Sequence, residues 1–255
     1  MKRMSNPLLR SKAALLFMCV AAGMSVVMPS CKKDDKESSQ PAVSQAEVAT
    51  VVNSAVTNGG VAAQTSAAAT TASLYLGARK SAKTTGDDCG YTDEDSFQFS
   101  SDANASTTFS IDYTYKFVIT CAADQYQSFN FTFAAKTSLG TSKISVADTS
   151  AATFAITGLD DASKNLVFNQ AFDNKASLIS KDGSGNSFYS TLKYSATDVT
   201  VSKTTLQIIS GTAAVKITGI TTTGKSFSYE GTIVYKGSNK AVFTITGGSS
   251  FDLQW

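Results

Sequence analysis

The chain has 255 residues, of which 42% are hydrophobic and 16% are charged, and its formal net charge is +2. It contains no histidine, which excludes Ser-His-Asp and Cys-His nucleophilic sites and removes the commonest general base near neutral pH. No Gly-x-Ser-x-Gly nucleophile elbow or Gly-x-Gly-x-x-Gly fingerprint is present, and no phosphate-binding loop is expected. These absences favour a protein that is not an enzyme and needs no cofactor.

Residues 1–30 predict a secretory signal peptide. Residues 1–12 carry four basic side chains and no acid, residues 13–28 are mostly apolar, and the small Ser30 precedes position 31. The apolar stretch is shorter and more interrupted than the about 20 apolar residues that a membrane-spanning helix needs. Without the signal peptide the chain keeps 18 Lys and Arg against 20 Asp and Glu, a net charge of −2. No basic patch therefore predicts a nucleic-acid partner.

The end of this segment resembles a bacterial lipobox. Its residues are Met28, Pro29, Ser30 and Cys31, and the charged run Lys-Lys-Asp-Asp-Lys-Glu follows at 32–37. The lipobox cysteine receives diacylglycerol before cleavage on its amino side, and the charged run resembles the Bacteroidetes-type signal for lipoprotein export to the cell surface. The resemblance implies that residues 31–43 are a lipidated Cys31 and a flexible tether, and that this lipid anchor holds the protein in the outer membrane at the cell surface. An ordinary cleaved signal peptide is the alternative.

Two further cysteines, Cys89 and Cys121, remain after Cys19 leaves with the signal peptide. An oxidising compartment outside the cytoplasm favours one disulfide between them. A pair of free thiols or a metal pair is the alternative, although no histidine is present to complete a set of metal ligands.

Residues 44–82 predict a helical segment. Ser44 and Glu47 have the spacing of a capping box, and the apolar residues that follow recur at helical spacing until the Asn-Gly-Gly at 58–60. The Ala-rich stretch from 61 to about 82 predicts a second helix.

Residues 83–255 predict an antiparallel β domain, because here the apolar period changes to two. The alternation recurs in ten stretches, at 97–99, 109–119, 129–133, 154–156, 166–168, 188–194, 209–217, 227–235, 241–245 and 251–255. Short turns between strands with one apolar face favour an antiparallel meander. A sheet of about ten strands is expected to form a half-barrel or a barrel, with a split into a sandwich as the alternative, and the helical segment is expected to pack on its apolar face.

The candidate ligand-binding residues are Tyr113, Tyr115 and Tyr229, since each shares an apolar stripe with Phe or Ile residues. Tyrosines that line a sheet can contact an apolar or a sugar ligand. Core packing is the alternative.

The carboxylates predict neither an active site nor a metal site. Asp112 and Glu230 are expected at solvent-facing strand positions rather than across a glycosidase cleft. Asp87, Asp88 and the acids at 93–95 are expected to flank Cys89 in one acidic loop. This loop is expected to be solvated, and calcium is the alternative occupant.

These observations predict an outer-membrane lipoprotein, exposed at the cell surface, that binds a hydrophobic or glycan ligand or an envelope partner without catalysis. The layout of sheet and helices resembles the half-barrel of lipoprotein carriers. A structural or adhesive surface protein is one alternative. The other is a transmembrane β-barrel, because the alternating Phe251, Leu253 and Trp255 resemble the C-terminal strand signal of such barrels.

Overall fold

The structure is a computed structural model that describes residues 42–57, 59–80, 89–123, 125–183 and 185–255. The predicted signal peptide, Cys31 and the tether as far as residue 41 lie outside the described residues. Two helices come first, α1 (Gln45–Val56) and α2 (Val61–Lys80). The ten strands that follow are β1 (Thr92–Ser100), β2 (Thr108–Ala122), β3 (Gln125–Gly140), β4 (Ile144–Thr157), β5 (Asn165–Ser180), β6 (Phe188–Ser202), β7 (Ile208–Thr221), β8 (Ser226–Gly237), β9 (Lys240–Ile245) and β10 (Ser250–Gln254).

All ten strands form one sheet in chain order, each antiparallel to the next, so the predicted meander is confirmed. The sheet is not closed. Strands β1 and β10 are its two edges, and the described strands show no pairing between them. Of the arrangements that the sequence allowed, the fold is therefore the open, half-barrel form, a single sheet that is neither closed into a barrel nor split into a sandwich.

The strand alternation separates two faces of the sheet. One face, here called the inner face, carries the apolar stripes and packs against α1 and α2; the opposite outer face is rich in Thr, Ser, Ala and Lys. The sheet contributes large buried side chains to the core, including Phe117, Phe129, Phe154, Leu192 and Ile233. The helices contribute small ones, namely Val48, Val52, Val56, Ala62, Ala68, Ala69 and Ala72. Small side chains allow the helix backbones to approach the aromatic rings closely, which fills the space between the layers.

One predicted stripe is wrong over part of its length. Ile209 was expected on the apolar face, but it is 40% exposed, and its neighbour Ile208 is buried opposite Val201. The pairing of β6 with β7 is irregular near Val201, and Gly211 has a φ of +144°. A Cβ at Gly211 would lie 2.9 Å from the Val199 Cα. Because of this irregularity, the alternation of buried and exposed side chains shifts by one residue between Ile208 and the rest of β7.

The predicted capping box is confirmed at the start of α1. The Glu47 N–H donates to the Ser44 Oγ at 3.2 Å, and the Ser44 N–H donates to the Glu47 Oε2 at 2.8 Å. The same end of the helix is held to two turns of the sheet, since Asn186 Nδ2 donates to Glu47 Oε1 at 2.9 Å and the Ser249 N–H donates to Gln45 Oε1 at 2.8 Å. Neither described helix is both long and apolar enough to cross a membrane.

The disulfide between Cys89 and Cys121 is confirmed, with the two Cα atoms 5.4 Å apart. It joins the residue that leads into β1 to the end of β2. Strand β1 lies at the edge of the sheet, pairs only with β2 and is exposed along nearly its whole length. The covalent link therefore holds the strand that the core protects least.

We expect the double variant Cys89→Ser, Cys121→Ser to lower the free energy of unfolding by about 3–4 kcal/mol, because it removes a crosslink that restricts the unfolded chain. Urea denaturation followed by tyrosine fluorescence measures this loss. Either single variant should lose as much as the double, since each one breaks the bond. A double variant with wild-type stability would contradict the prediction.

Candidate functional site

Two of the predicted ligand-binding residues lie side by side on the inner face of β2. Tyr113 and Tyr115 have ring centroids 6.3 Å apart, and the Tyr115 ring stacks on Phe131 at 5.8 Å. Tyr113 is buried, and its hydroxyl donates to the Gln64 Oε1 of α2 at 2.7 Å. Burial raises the pKa of Tyr113, because it disfavours the charged phenolate. Tyr113 thus joins the sheet to a helix.

Tyr229, the third predicted residue, lies on the same face but on β8, away from the β2 pair. It is half-buried, and its hydroxyl donates to the Val43 carbonyl at 2.6 Å. Desolvation raises the pKa of Tyr229, and the nearby Glu47 carboxylate adds to this effect. Tyr113 therefore holds α2 on the sheet, and Tyr229 holds the residue that directly precedes the N-cap of α1.

A chain of buried hydrogen bonds runs from the sheet into α2. Tyr194 donates to Gln170 Oε1 at 2.8 Å, and Gln170 Nε2 donates to Thr65 Oγ1 at 2.7 Å. Thr65 in turn donates to the Val61 carbonyl at 2.7 Å. Since the only proton of the Tyr194 hydroxyl goes to Gln170, the contact between Tyr194 and Tyr235 at 2.9 Å has Tyr235 as donor. Each side chain in this series of hydrogen bonds therefore has a hydrogen-bond partner.

Burial also affects the ionisation of the two tyrosines in this series of hydrogen bonds. It raises the pKa of both Tyr194 and Tyr235 by desolvation. Tyrosines with a raised pKa remain neutral at physiological pH. The hydrogen bonds from Tyr235 to Thr65 therefore connect the strands to α2 without any charged group.

Asp148 is a half-buried carboxylate on the inner face of β4. It accepts hydrogen bonds from Thr137 Oγ1 and from Asn174 Nδ2, the latter at 3.2 Å. Burial raises the pKa of Asp148, and this effect exceeds the lowering by the two hydrogen bonds. Asp148 was not among the site residues predicted from the sequence. The apolar alternation in β4 covers only 154–156, so nothing local marked residue 148 as inward-facing.

The other carboxylates do not converge. The acids at 93–95 lie in β1 and not in a loop as expected, while Asp87 and Asp88 lie outside the described residues. Glu230 accepts from Lys216 Nζ on the outer face at 2.8 Å, and this hydrogen bond lowers the pKa of Glu230. Among the described residues, no group of three or more His, Cys, Asp or Glu could share a metal ion.

One motif was overlooked in the sequence. Residues 219–226 read Gly-Ile-Thr-Thr-Thr-Gly-Lys-Ser, which matches the P-loop pattern, although no phosphate-binding loop was expected. A P-loop needs a helix after the loop, but here β7 and β8 form a hairpin. The backbone N–H groups of residues 221, 222, 224 and 225 donate within the protein. Gly219 has a packing role, because a Cβ there would lie 2.3 Å from the Phe227 Cζ. The match therefore indicates no phosphate site.

Two shallow grooves cross the outer face. One, of about 520 Å³, extends from β4 to β7 and includes Lys175 and Tyr189; the other, of about 720 Å³, extends from β1 to β4 and includes Lys116. Tyr189 was not among the site residues predicted from the sequence. Its signal was available, because Tyr189 lies between Phe188 and Ser190 of the apolar stripe and so must point to the polar side of its strand.

We expect Gln170→Leu to lower the free energy of unfolding by about 1–3 kcal/mol, since it leaves the buried Tyr194 and Thr65 hydroxyls without one partner each. Urea denaturation measures the loss. The matched control is Gln98→Leu on the exposed outer side of β1, which should stay within about 0.5 kcal/mol of wild type. Equal losses of unfolding free energy in the two variants would contradict the stabilising role assigned to the hydrogen bonds of Gln170.

We expect Asp148→Asn to stabilise the protein at pH 7. A raised pKa in the folded state means that stability is greatest below the unfolded pKa of about 3.9 and falls as pH rises through the folded pKa. The variant lacks this loss, so its advantage over wild type should grow between pH 3 and pH 7 in urea denaturation. Thr137→Val, which removes a donor to the carboxylate, should widen the pH-dependent loss. An Asp148→Asn protein that is less stable than wild type at pH 7 would contradict the assignment.

No family model, no curated protein and no solved structure matches this chain. What the protein does must therefore be inferred from its own residues and geometry.

Proposed function

We propose that this chain is a lipid-anchored protein of the outer-membrane surface that binds a ligand without catalysis, and that it does so through the outer face of its sheet. The observation that carries the proposal is that the inner face is already occupied by the protein's own helices. Tyr113 and Tyr229, expected to contact a ligand, donate instead to Gln64 and Val43.

The packing of the inner face favours a ligand on the other side. A hydrophobic ligand beneath the helices would have to separate the small side chains of α1 and α2 from the aromatic rings, and would break the chain from Tyr194 through Gln170 to Thr65. Each buried polar group left without a partner costs about 1–3 kcal/mol. The outer face carries two open grooves and needs no such rearrangement.

The absence of histidine from the sequence, and of facing carboxylates among the described residues, supports binding over catalysis. The whole sequence has no histidine. In the part of the chain that the structure describes, Asp112 and Glu230 stand on β2 and β8, and Glu230 is paired with Lys216. A glycosidase would need two such carboxylates facing each other across a cleft.

The anchor is tested by labelling cells with radioactive palmitate and separating membranes. Cys31→Ala should lose the label and leave the membrane fraction, since the acyl chains would have no attachment site. Cys19→Ala is the matched control, because Cys19 belongs to the predicted signal peptide, and this variant should keep both the label and the location. Retention of the label by Cys31→Ala would overturn the anchor.

The location of the ligand is tested by native mass spectrometry of residues 32–255 secreted into the periplasm, with lipid extraction of the same sample. We expect the mass of the chain less two hydrogens for the disulfide, and no extracted lipid. A stoichiometric lipid that is lost from a helix-destabilised variant such as Gln170→Leu would overturn the outer-face assignment.

A further inference from the structure

We infer that the outer-face groove across β4 to β7 binds an acidic sugar, such as a uronic acid unit of a glycan. This inference rests on the proposed function and names the site and the ligand class for it. The groove combines an exposed aromatic ring, a row of hydroxyl groups and one lysine that has no acid opposite it on the neighbouring described strands.

The strand register arranges the groove in two rows of side chains. The first row, in order from β4 to β7, is Ala147, Ser177, Tyr189 and Ile220. The second row, one pleat along each strand, is Thr149, Lys175, Thr191 and Thr218. Four strands span about 14 Å and the rows lie about 7 Å apart, from the usual strand spacing and rise. The first row is therefore mostly apolar, with Ser177 as its one small polar residue, and the second row is polar throughout.

The apolar row exposes an aromatic surface that the core does not use. Tyr189, the second residue of β6, is 54% exposed, and Ile220, directly opposite it on β7, is 43% exposed. The C–H groups on one face of a pyranose ring pack well on an aromatic ring, while its hydroxyl groups point sideways. A sugar stacked on Tyr189 would direct its polar edge towards the second row.

Lys175 gives this polar edge a positive charge. Four other lysines of the outer face stand opposite an acid on the next strand, in the pairs Lys116 with Glu94, Lys136 with Asp112, Lys193 with Asp173 and Lys216 with Glu230. Lys175 instead stands between Thr149 and Thr191, with no acid opposite it on either neighbouring strand, and like Lys136 and Lys193 it makes no salt bridge within the described residues. Its ammonium group can pair with a ligand carboxylate, flanked by hydroxyl groups that suit the ligand's own hydroxyls.

The shape of the groove suits one unit of a longer glycan. Its volume of about 520 Å³ falls within the about 300–1,000 Å³ of small-molecule sites. The groove is open to solvent along the sheet, so neighbouring sugar units can continue beyond it. The second groove also reaches β4, at Ala151 and Thr153, and offers such a continuation.

The test is affinity electrophoresis of the full-length mature protein in native gels that contain polygalacturonate. The neutral probe is the same polymer with its carboxylates methyl-esterified, and dextran sulfate is the probe for charge alone. Two groove variants, Lys175→Gln and Tyr189→Ser, are compared with two matched controls. Lys193→Gln removes the same charge from the same face, and Phe99→Ser removes an exposed ring elsewhere. Circular dichroism confirms that each variant is folded.

We expect polygalacturonate to retard the wild type more strongly than the esterified polymer does. Lys175→Gln and Tyr189→Ser should each weaken the apparent affinity at least about tenfold, a loss of about 1.4 kcal/mol. Lys193→Gln and Phe99→Ser should bind as the wild type does.

Three results would overturn the inference. They are equal retardation by the esterified polymer, equal losses in Lys175→Gln and Lys193→Gln, and no retardation by polygalacturonate. None of these results decides the proposed function, which is tested separately by palmitate labelling of Cys31 and by the absence of lipid beneath the helices.

Discussion

The structure depends on the burial of aromatic rings from an open sheet beneath two helices with small side chains. Ten strands with one apolar face cannot remain open in water, because that face would be exposed. Closing the sheet on itself is one solution, and covering it is the other. In this chain the alanines and valines of α1 and α2 cover rings such as Phe129 and Phe154, so the sheet stays open at both edges.

This choice determines how the polar groups of the core are arranged. Tyrosine hydroxyls on a covered face have no access to water and must find partners from the covering element. Gln64, Thr65 and the Val43 carbonyl supply them, and no buried side-chain nitrogen or oxygen in the described residues lacks a partner. Since these bonds connect the two layers, the inner face serves stability. The outer face does not pack against the helices, so it can carry groups such as Tyr189 in exposed positions.

Local patterns in the sequence predicted the elements well, because alternation and capping depend on neighbours in the chain. Ser44 and Glu47 gave the start of α1, and the spacing of apolar residues gave all ten strands. Pairing across strands is different. The β6–β7 irregularity that exposes Ile209 depends on the register, as does the isolation of Lys175 from an acid. Likewise, residues 219–226 match the P-loop pattern in sequence but form a β-hairpin, in which the backbone N–H groups donate to other groups of the protein.

An open sheet leaves two edges, and β1 shows how one of them is kept from pairing with another molecule. Its exposed residues include Asp93, Glu94 and Asp95. If β1 of one copy aligned in parallel with β1 of another, these six carboxylates would be brought together as the backbone hydrogen bonds formed. Their mutual repulsion opposes such growth of the sheet. Copies held at high local concentration would therefore resist joining to one another through this edge.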